Sequence, residues 1–301
     1  MTKASPLASL GATRTVLEAH GLAAKHALGQ NFLVNDGVVG KILALSGACE
    51  TDTVLEVGPG IGTLTTALLP RVGHVIAVER DPELIPVLEE TCAPWRERLT
   101  LLERDAMGLT SEDLRAAWPE ALPNKLIANL PYVVATALVL QYLRELPSLE
   151  SATVMVQKEV AERMMAAPGT KEYGAYTVHL GLRAREAGHF TVAPSSFHPA
   201  PKVWSTVIRL ERAVALGSDG KPLSPAVLSA ADVLADAAFA LRRKTLANSF
   251  KGYFAGTGAP EDFRRAEAAL AEARIDARRR GETLSIREFI GIAEIFAKID
   301  N

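Results

Sequence analysis

Apolar runs of four to six residues alternate with amphipathic stretches along the first two-thirds of the chain, so strands separated by helices are expected. The strands fall at 54–57, 74–78, 99–102, 125–128 and 152–157, with two more within 187–210. Between them, helices are expected from Asn35 or Asp36 through Ser46, over 64–69 with Thr63 as N-cap, and from Pro82 through Thr91. Further helices are read at 111–118, 133–143 and 158–166, and the ambiguous stretch 176–184 also reads as helix. Beyond the turn-rich segment 217–224 the pattern changes to helices alone, at 225–240, 242–250, 261–273 and 285–299. Residues 1–24 form an extension with a short helix near 13–20, and 25–33 has no clean period. The expected organisation is an extension (1–24), an α/β domain (25–216) and a small all-α domain (217–301).

The chemistry gathers at strand ends. After Val54-Leu55-Glu56-Val57 the chain reads Gly58-Pro59-Gly60-Ile61-Gly62, three glycines at alternate positions. Glycine takes positive φ cheaply and lets a ligand approach the backbone, so strand, turn and helix form the first unit of a nucleotide-binding fold. The G-x-G-x-G spacing departs from the dinucleotide G-x-G-x-x-G. Glu79 closes the second strand, where an acid hydrogen-bonds ribose hydroxyls in this architecture. Asp105 sits just past the third. These residues imply an adenosine-type cofactor, either a nicotinamide dinucleotide or S-adenosylmethionine.

The fourth strand runs into Asn129-Leu130-Pro131-Tyr132, which favours the second cofactor. The exocyclic amine of adenine donates its lone pair to the ring and is a poor nucleophile. The Asn129 side-chain oxygen and the Leu130 carbonyl can each accept one of its N–H groups, orienting the lone pair towards a methyl donor. Tyr132 can stack on the base. Phe197, in a loop held by Pro194, Pro199 and Pro201, reads equally as a core plug or a base-stacking residue.

Composition narrows the class. The net charge of −2 does not announce a nucleic-acid binder. The basic residues of the last ninety positions are nevertheless clustered, as Arg242-Arg243-Lys244, Arg264-Arg265 and Arg278-Arg279-Arg280, and such clusters can grip phosphates. Lys202 is a further phosphate candidate. Only Cys49 and Cys92 occur, without a C-x-x-C, which fits a reducing cytoplasm. The histidines lack metal-ligand spacing, so no metal is expected. No apolar stretch approaches the ~20 residues needed to span a bilayer, and no secretory signal is evident.

Taken together, several stretches resemble the bacterial small-subunit ribosomal RNA adenine dimethyltransferases, the KsgA (RsmA) family. They are Leu28-Gly29-Gln30-Asn31-Phe32-Leu33, the glycine turn, Glu79, Asp105 and Asn129-Leu130-Pro131-Tyr132. Gln157-Lys158-Glu159-Val160-Ala161, Phe197-His198-Pro199-Ala200-Pro201-Lys202-Val203 and Arg242-Arg243-Lys244-Thr245-Leu246 complete the set. The resemblance implies a Rossmann-like class I methyltransferase sheet with a helical C-terminal domain, S-adenosylmethionine as cofactor, and dimethylation of two adjacent adenosines near the 3′ end of 16S rRNA. It implies action on the assembling small subunit, in the cytoplasm; a monomer is expected. Carried over position by position, Asn31, Leu33, Gly58, Gly60, Glu79, Asp105 and Asn129 border the cofactor, while Asn129, Leu130, Tyr132 and Phe197 form the target-base site. Lys202, Arg242, Arg243 and Lys244 are the expected RNA contacts. The related large-subunit methyltransferases that confer macrolide resistance share the glycine turn and the Asn-Leu-Pro-Tyr type motif, and a subunit-binding assembly factor is the alternative from another class. The extension is longer than the family core needs and is expected to be a disordered tail.

Overall fold

The computed structural model describes residues 3–25 and 29–299. Leu28, which opens the Leu-Gly-Gln-Asn-Phe-Leu motif, lies outside them. Cα packing divides the chain into two compact units, residues 1–161 with 186–212 and residues 162–185 with 213–301.

The first unit begins with α1 (Leu10–Ala19), the two-residue strand β1 (Phe32–Leu33) and α2 (Asp36–Ser46). It continues through β2 (Thr53–Val57), α3 (Thr65–Leu68), β3 (His74–Glu79), α4 (Ile85–Thr91), β4 (Leu99–Glu103) and α5 (Ser111–Ala117). Then come β5 (Lys125–Asn129), α6 (Ala135–Glu145), β6 (Ser151–Gln157) and α7 (Lys158–Met164), whose last turn passes into the second unit. After α8 (Ala175–Gly181) the chain returns through β7 (Ala184–Val192), β8 (Phe197–His198) and β9 (Ser205–Arg212).

Seven strands form one sheet in the order β4-β3-β2-β5-β6-β9-β7. β4, β3, β2, β5 and β6 run parallel, and β9 pairs antiparallel with β6. The strand order reverses at β2, because its sequence successor β3 lies on one side and β5 on the other. In open α/β sheets ligands bind outside the carboxyl ends of the strands at such a switch point, and the glycine turn and Asn129 both leave the sheet there. β2 is buried along its whole length, as its Val-Leu-Glu-Val sequence requires of a central parallel strand covered on both faces. Val54, Ile127, Met155 and Val207 pack with Val39 and Ile42 of α2 and with Ala67 and Leu68 of α3.

The second unit is helical. It consists of α8 with α9 (Pro225–Phe239), α10 (Leu246–Gly256), α11 (Pro260–Glu272) and α12 (Ile286–Phe296). One alanine-rich face of α9 (Ala230, Ala231, Leu234, Ala235, Ala237 and Ala238) is buried, and Phe250, Phe254 and Phe289 pack into the same core. Residues 162–185 belong here because Tyr173 donates a hydrogen bond to the Leu284 carbonyl (2.9 Å) and His179 bonds to Asp232 and Asp236 of α9. These partners are more than fifty residues away in sequence, so a linear division at residue 217 does not describe the packing.

Several local expectations are corrected. Residues 3–24 are not a disordered tail: α1 is capped by Ser9 and its Leu17 is buried. Thr63 does not cap α3. The N-cap is Leu64, without a side-chain hydrogen bond, and the buried Thr63 hydroxyl has no partner among the described residues. Arg242, Arg243 and Lys244 are not helical; they form the turn before α10, whose N-cap is Thr245. The stretch read as helix over 176–184 ends its helix at Gly181, and Ala184 already begins β7. No helix of the described residues is long and apolar enough to cross a membrane.

Candidate active site

The glycine turn is fixed by its neighbours. Gly58 donates to the Val78 carbonyl (2.9 Å) and Gly62 to Pro59 (3.0 Å). Gly60 adopts φ of 63°, and a Cβ there would lie 3.2 Å from the Phe32 ring, so both backbone strain and space select glycine. The Gly60 N–H donates to Glu79 Oε2 (3.2 Å), while Glu79 Oε1 accepts the N–H groups of Arg80 and Asp81, both at 2.9 Å.

Glu79 is 7% exposed. Burial raises its pKa from the ordinary carboxylate value, and the three N–H donors oppose that rise by stabilising the anion. A carboxylate has about four lone-pair sites. Three are used, which leaves Oε2 a site for a ribose hydroxyl. Asp105 presents an exposed carboxylate past β4, with Oδ1 accepting the Met107 N–H (3.0 Å) and Oδ2 3.8 Å from the Arg80 guanidinium. The residues present therefore fit an adenosine moiety.

Asn129 ends β5. Its Nδ2 donates to the Asn31 carbonyl at 3.3 Å. A carbonyl only accepts, so this bond assigns the amide orientation and leaves Oδ1 as an acceptor. Leu130, whose side chain is buried, donates its N–H to Met155 (3.2 Å). The Tyr132 hydroxyl lies 2.7 Å from Ser205 Oγ, which fixes the ring between β5 and β9. Burial raises the Tyr132 pKa, and the Ser205 bond partly opposes it.

The structure brings Asn31, Leu33, Gly58, Gly60, Glu79, Asn129, Leu130, Tyr132 and Phe197 to one end of the first unit. It joins Asn31 to Asn129 directly, Gly60 to Glu79, and Leu33 to Phe197 through the β1–β8 pair. Between the two readings of Phe197, the structure gives the core plug: the ring is 4% exposed and packs in the cluster of Leu33, Ile42, Ile127 and Met155. Lys202 is exposed on the loop that follows. In the helical unit Arg242, Arg243 and Lys244 are all exposed, and the Arg242 guanidinium also donates to the Lys171 carbonyl. Within the third basic cluster, Arg278 pairs with Asp276 and Arg279 with Glu288.

The sequence reading missed Glu56, Gln30 and Asp81. Glu56 is a fully buried acid on β2, and one of its oxygens has no partner among the described residues. Burial, and then the nearby Glu79 carboxylate, push it up to about 8, so it is neutral at pH 7. An acid inside a fully apolar strand was the available signal. Gln30 stood only as part of the Leu28–Leu33 motif, and its bond to Asp81 had no local signal, since it joins residues 51 apart.

Comparison with known proteins agrees with this geometry. Residues 21–298 match the family model described as ribosomal RNA adenine dimethylase. The ribosomal RNA small subunit methyltransferase A of Mycobacterium bovis is 43% identical over 270 residues, covering 88% of this chain and 81% of that one. Its counterpart in Thermobifida fusca is 43% identical over 282 residues and covers 91% of each. Among solved structures, a dimethyladenosine transferase from Plasmodium falciparum superposes with a TM-score of 0.70 at 25% identity, covering 87% of this chain and 95% of that one. The 23S rRNA methyltransferase ErmE shares the fold, with a TM-score of 0.64 at 23% identity over 88% of this chain and 99% of that one. The class I methyltransferase fold, the S-adenosylmethionine cofactor and an rRNA substrate follow, and the chain belongs to the ribosomal RNA adenine dimethylase family.

Proposed function

We propose that this enzyme dimethylates the N6 amino groups of two adjacent adenosines in a hairpin near the 3′ end of 16S rRNA, on the assembling small subunit in the cytoplasm. The observation that carries the proposal is the Asn129–Asn31 hydrogen bond, because it presents Asn129 Oδ1 as an acceptor at the end of β5. Oδ1 and the Leu130 carbonyl hold the two N–H groups of the target amine. Held this way, the nitrogen loses conjugation with the ring and turns its lone pair outward. Tyr132, braced by Ser205, stacks on the base, and Phe197 supports the site from the core side. Once methylated, the nitrogen is cationic and acidic enough to give its proton to solvent, so no strong base is required. A loop adenosine leaves its stack at low cost, which suits this pocket.

S-adenosylmethionine, when bound, supplies an electrophilic methyl group. Asn31, Leu33, Gly58 and Gly60 border it together with Asn129, while Glu79 takes the ribose hydroxyls and Asp105 the adenine amine. We assign methyl transfer to the α/β unit and part of the RNA grip to the helical unit, with Lys202, Arg242, Arg243 and Lys244 as phosphate contacts. The protein acts as a monomer without a metal.

The test is methyl transfer from labelled S-adenosylmethionine to small subunits lacking the modification. Wild type is expected to give N6,N6-dimethyladenosine, and Asn129→Ala to lose at least about 10²-fold in kcat while still binding cofactor. Dimethylation at wild-type rate by Asn129→Ala would overturn the assignment.

A further inference from the structure

The N-terminal extension is built into the ribose end of the site. The Ala4 and Ser5 N–H groups donate to the Asp36 carboxylate at 3.1 and 2.9 Å, and Ser5 Oγ lies 3.0 Å from Thr66 Oγ1 on α3. Leu17 of α1 is buried in one cluster with Phe32, Ile61, Leu84 and Val87, and Val16, Leu22 and Ala24 pack at its margin. Ile61 belongs to the glycine turn, and Phe32 follows Asn31. The extension thus packs beneath both cofactor-facing segments.

At its end lies a polar node. The Lys25 ammonium donates to Asp81 Oδ1 (2.8 Å) and lies 2.9 Å from Glu83. Gln30 Nε2 donates to Asp81 Oδ2 (2.7 Å), and its Oε1 accepts the Lys25 N–H (2.8 Å). The Asp81 N–H donates to Glu79 Oε1, and Glu79 Oε2 accepts from Gly60. Four hydrogen-bonded links therefore run from the extension to the glycine turn. The Asp81 side chain is 3% exposed, beside the equally buried Glu79 carboxylate. Two such anions in one turn repel each other and favour protonation of one or both, unless a cation offsets them. Lys25 is that cation. Burial pushes the Asp81 carboxyl up, and the Lys25 and Gln30 bonds outweigh this and hold it below the usual carboxylate range.

We propose that Lys25 and Gln30 are positioning residues for the cofactor: acting through Asp81, whose N–H donates to Glu79, they hold the Glu79 carboxylate aimed at the ribose and the 29–33 segment over the site. The inference rests on Glu79 as the ribose ligand. A strap that served stability alone would change the melting temperature without a selective effect on cofactor affinity.

The experiment measures S-adenosylmethionine Kd by calorimetry, with KM for cofactor, KM for small subunits, kcat and melting temperature, in the full chain. Lys25→Ala is expected to raise the cofactor Kd and KM about five- to tenfold. Its kcat at saturating cofactor and its KM for subunits stay near wild type. Lys25→Arg restores most of the affinity, and Leu17→Ala weakens cofactor binding in the same direction. Wild-type cofactor affinity in Lys25→Ala overturns the proposal, as does a loss that Lys25→Arg does not rescue. Glu79→Gln run in parallel separates the two levels. If Glu79→Gln loses affinity and Lys25→Ala does not, only this inference falls. If Glu79→Gln binds as wild type does, the ribose assignment falls and this inference with it.

Discussion

Buried charge is handled in opposite ways at the α8–α9 contact and at the cofactor end of the sheet. In the helical unit, His179 Nδ1 lies 2.6 Å from Asp232 and Nε2 2.8 Å from Asp236, and the Arg183 guanidinium grips the same Asp232 carboxylate. Burial alone would depress the His179 pKa, and the two carboxylates outweigh it and hold the imidazole above its ordinary value. The network joins α8 and the turn after it to α9. At the cofactor end of the sheet, Glu79 keeps a lone pair in reserve, burial holds Glu56 neutral with Thr65 beside it, and the Thr63 hydroxyl has no partner among the described residues. A fold can saturate its polar groups, so a region that does not is holding them for a ligand or tolerating a cost beside one.

The largest expected effect breaks the saturated side of this comparison. Asp232→Ala removes the carboxylate that Arg183 and His179 share, leaving His179 its Asp236 partner, and should cost about 3–5 kcal/mol of stability. Chemical denaturation at pH 7 checks this, and cofactor affinity at a temperature where the variant stays folded should be unchanged.

Next is Glu56. Its folded pKa of about 8 lies above its unfolded value, so its contribution is most favourable at pH below about 4.5. That contribution is lost as pH rises through the folded value and then levels off. His179, also raised, has the same sign over a window that begins near its ordinary 6.5. Glu56→Gln removes only the first dependence, so the variant should gain on wild type between pH 5 and 8, by on the order of 1–3 kcal/mol. Urea midpoints at the two pH values measure it, and a constant difference between variant and wild type would refute it.

The smallest effect concerns the exposed basic turn. Replacing Arg243 and Lys244 by alanine should leave stability unchanged. It should lower the salt slope of small-subunit binding by about one to two, as read from Kd across a salt series.

Sequence pattern reached the sheet because central parallel strands are covered on both faces, so 54–57, 74–78 and 125–128 stand out as short runs dominated by apolar residues. It reached Gly60, Glu79 and Asn129 because each sits at a strand end where chemistry restricts the residue type. It missed β1, since two residues have no period, and it missed the docking of α1, since nothing in 1–24 names its partners Phe32, Ile61 and Leu84. Phe197 was legible as a candidate, but its side of the choice between core and base was set by Leu33 and Ile42, distant in sequence. Arg242-Arg243-Lys244 read as one cluster, and all three are exposed, yet the fold ties the Arg242 guanidinium to the Lys171 carbonyl.

By itself the sequence determined the α/β class and the adenosine-type cofactor, and it singled out Asn129-Leu130-Pro131-Tyr132 as the candidate amine site, because these depend on local periodicity and on residue types at fixed spacing. Tertiary structure alone decided that Asn129 shows its oxygen rather than its nitrogen, that residues 162–185 join the helical unit, and that Lys25 and Gln30 meet at Asp81. Each of these is a hydrogen-bond or packing choice between residues distant along the chain, and only closure of the fold brings such partners within reach.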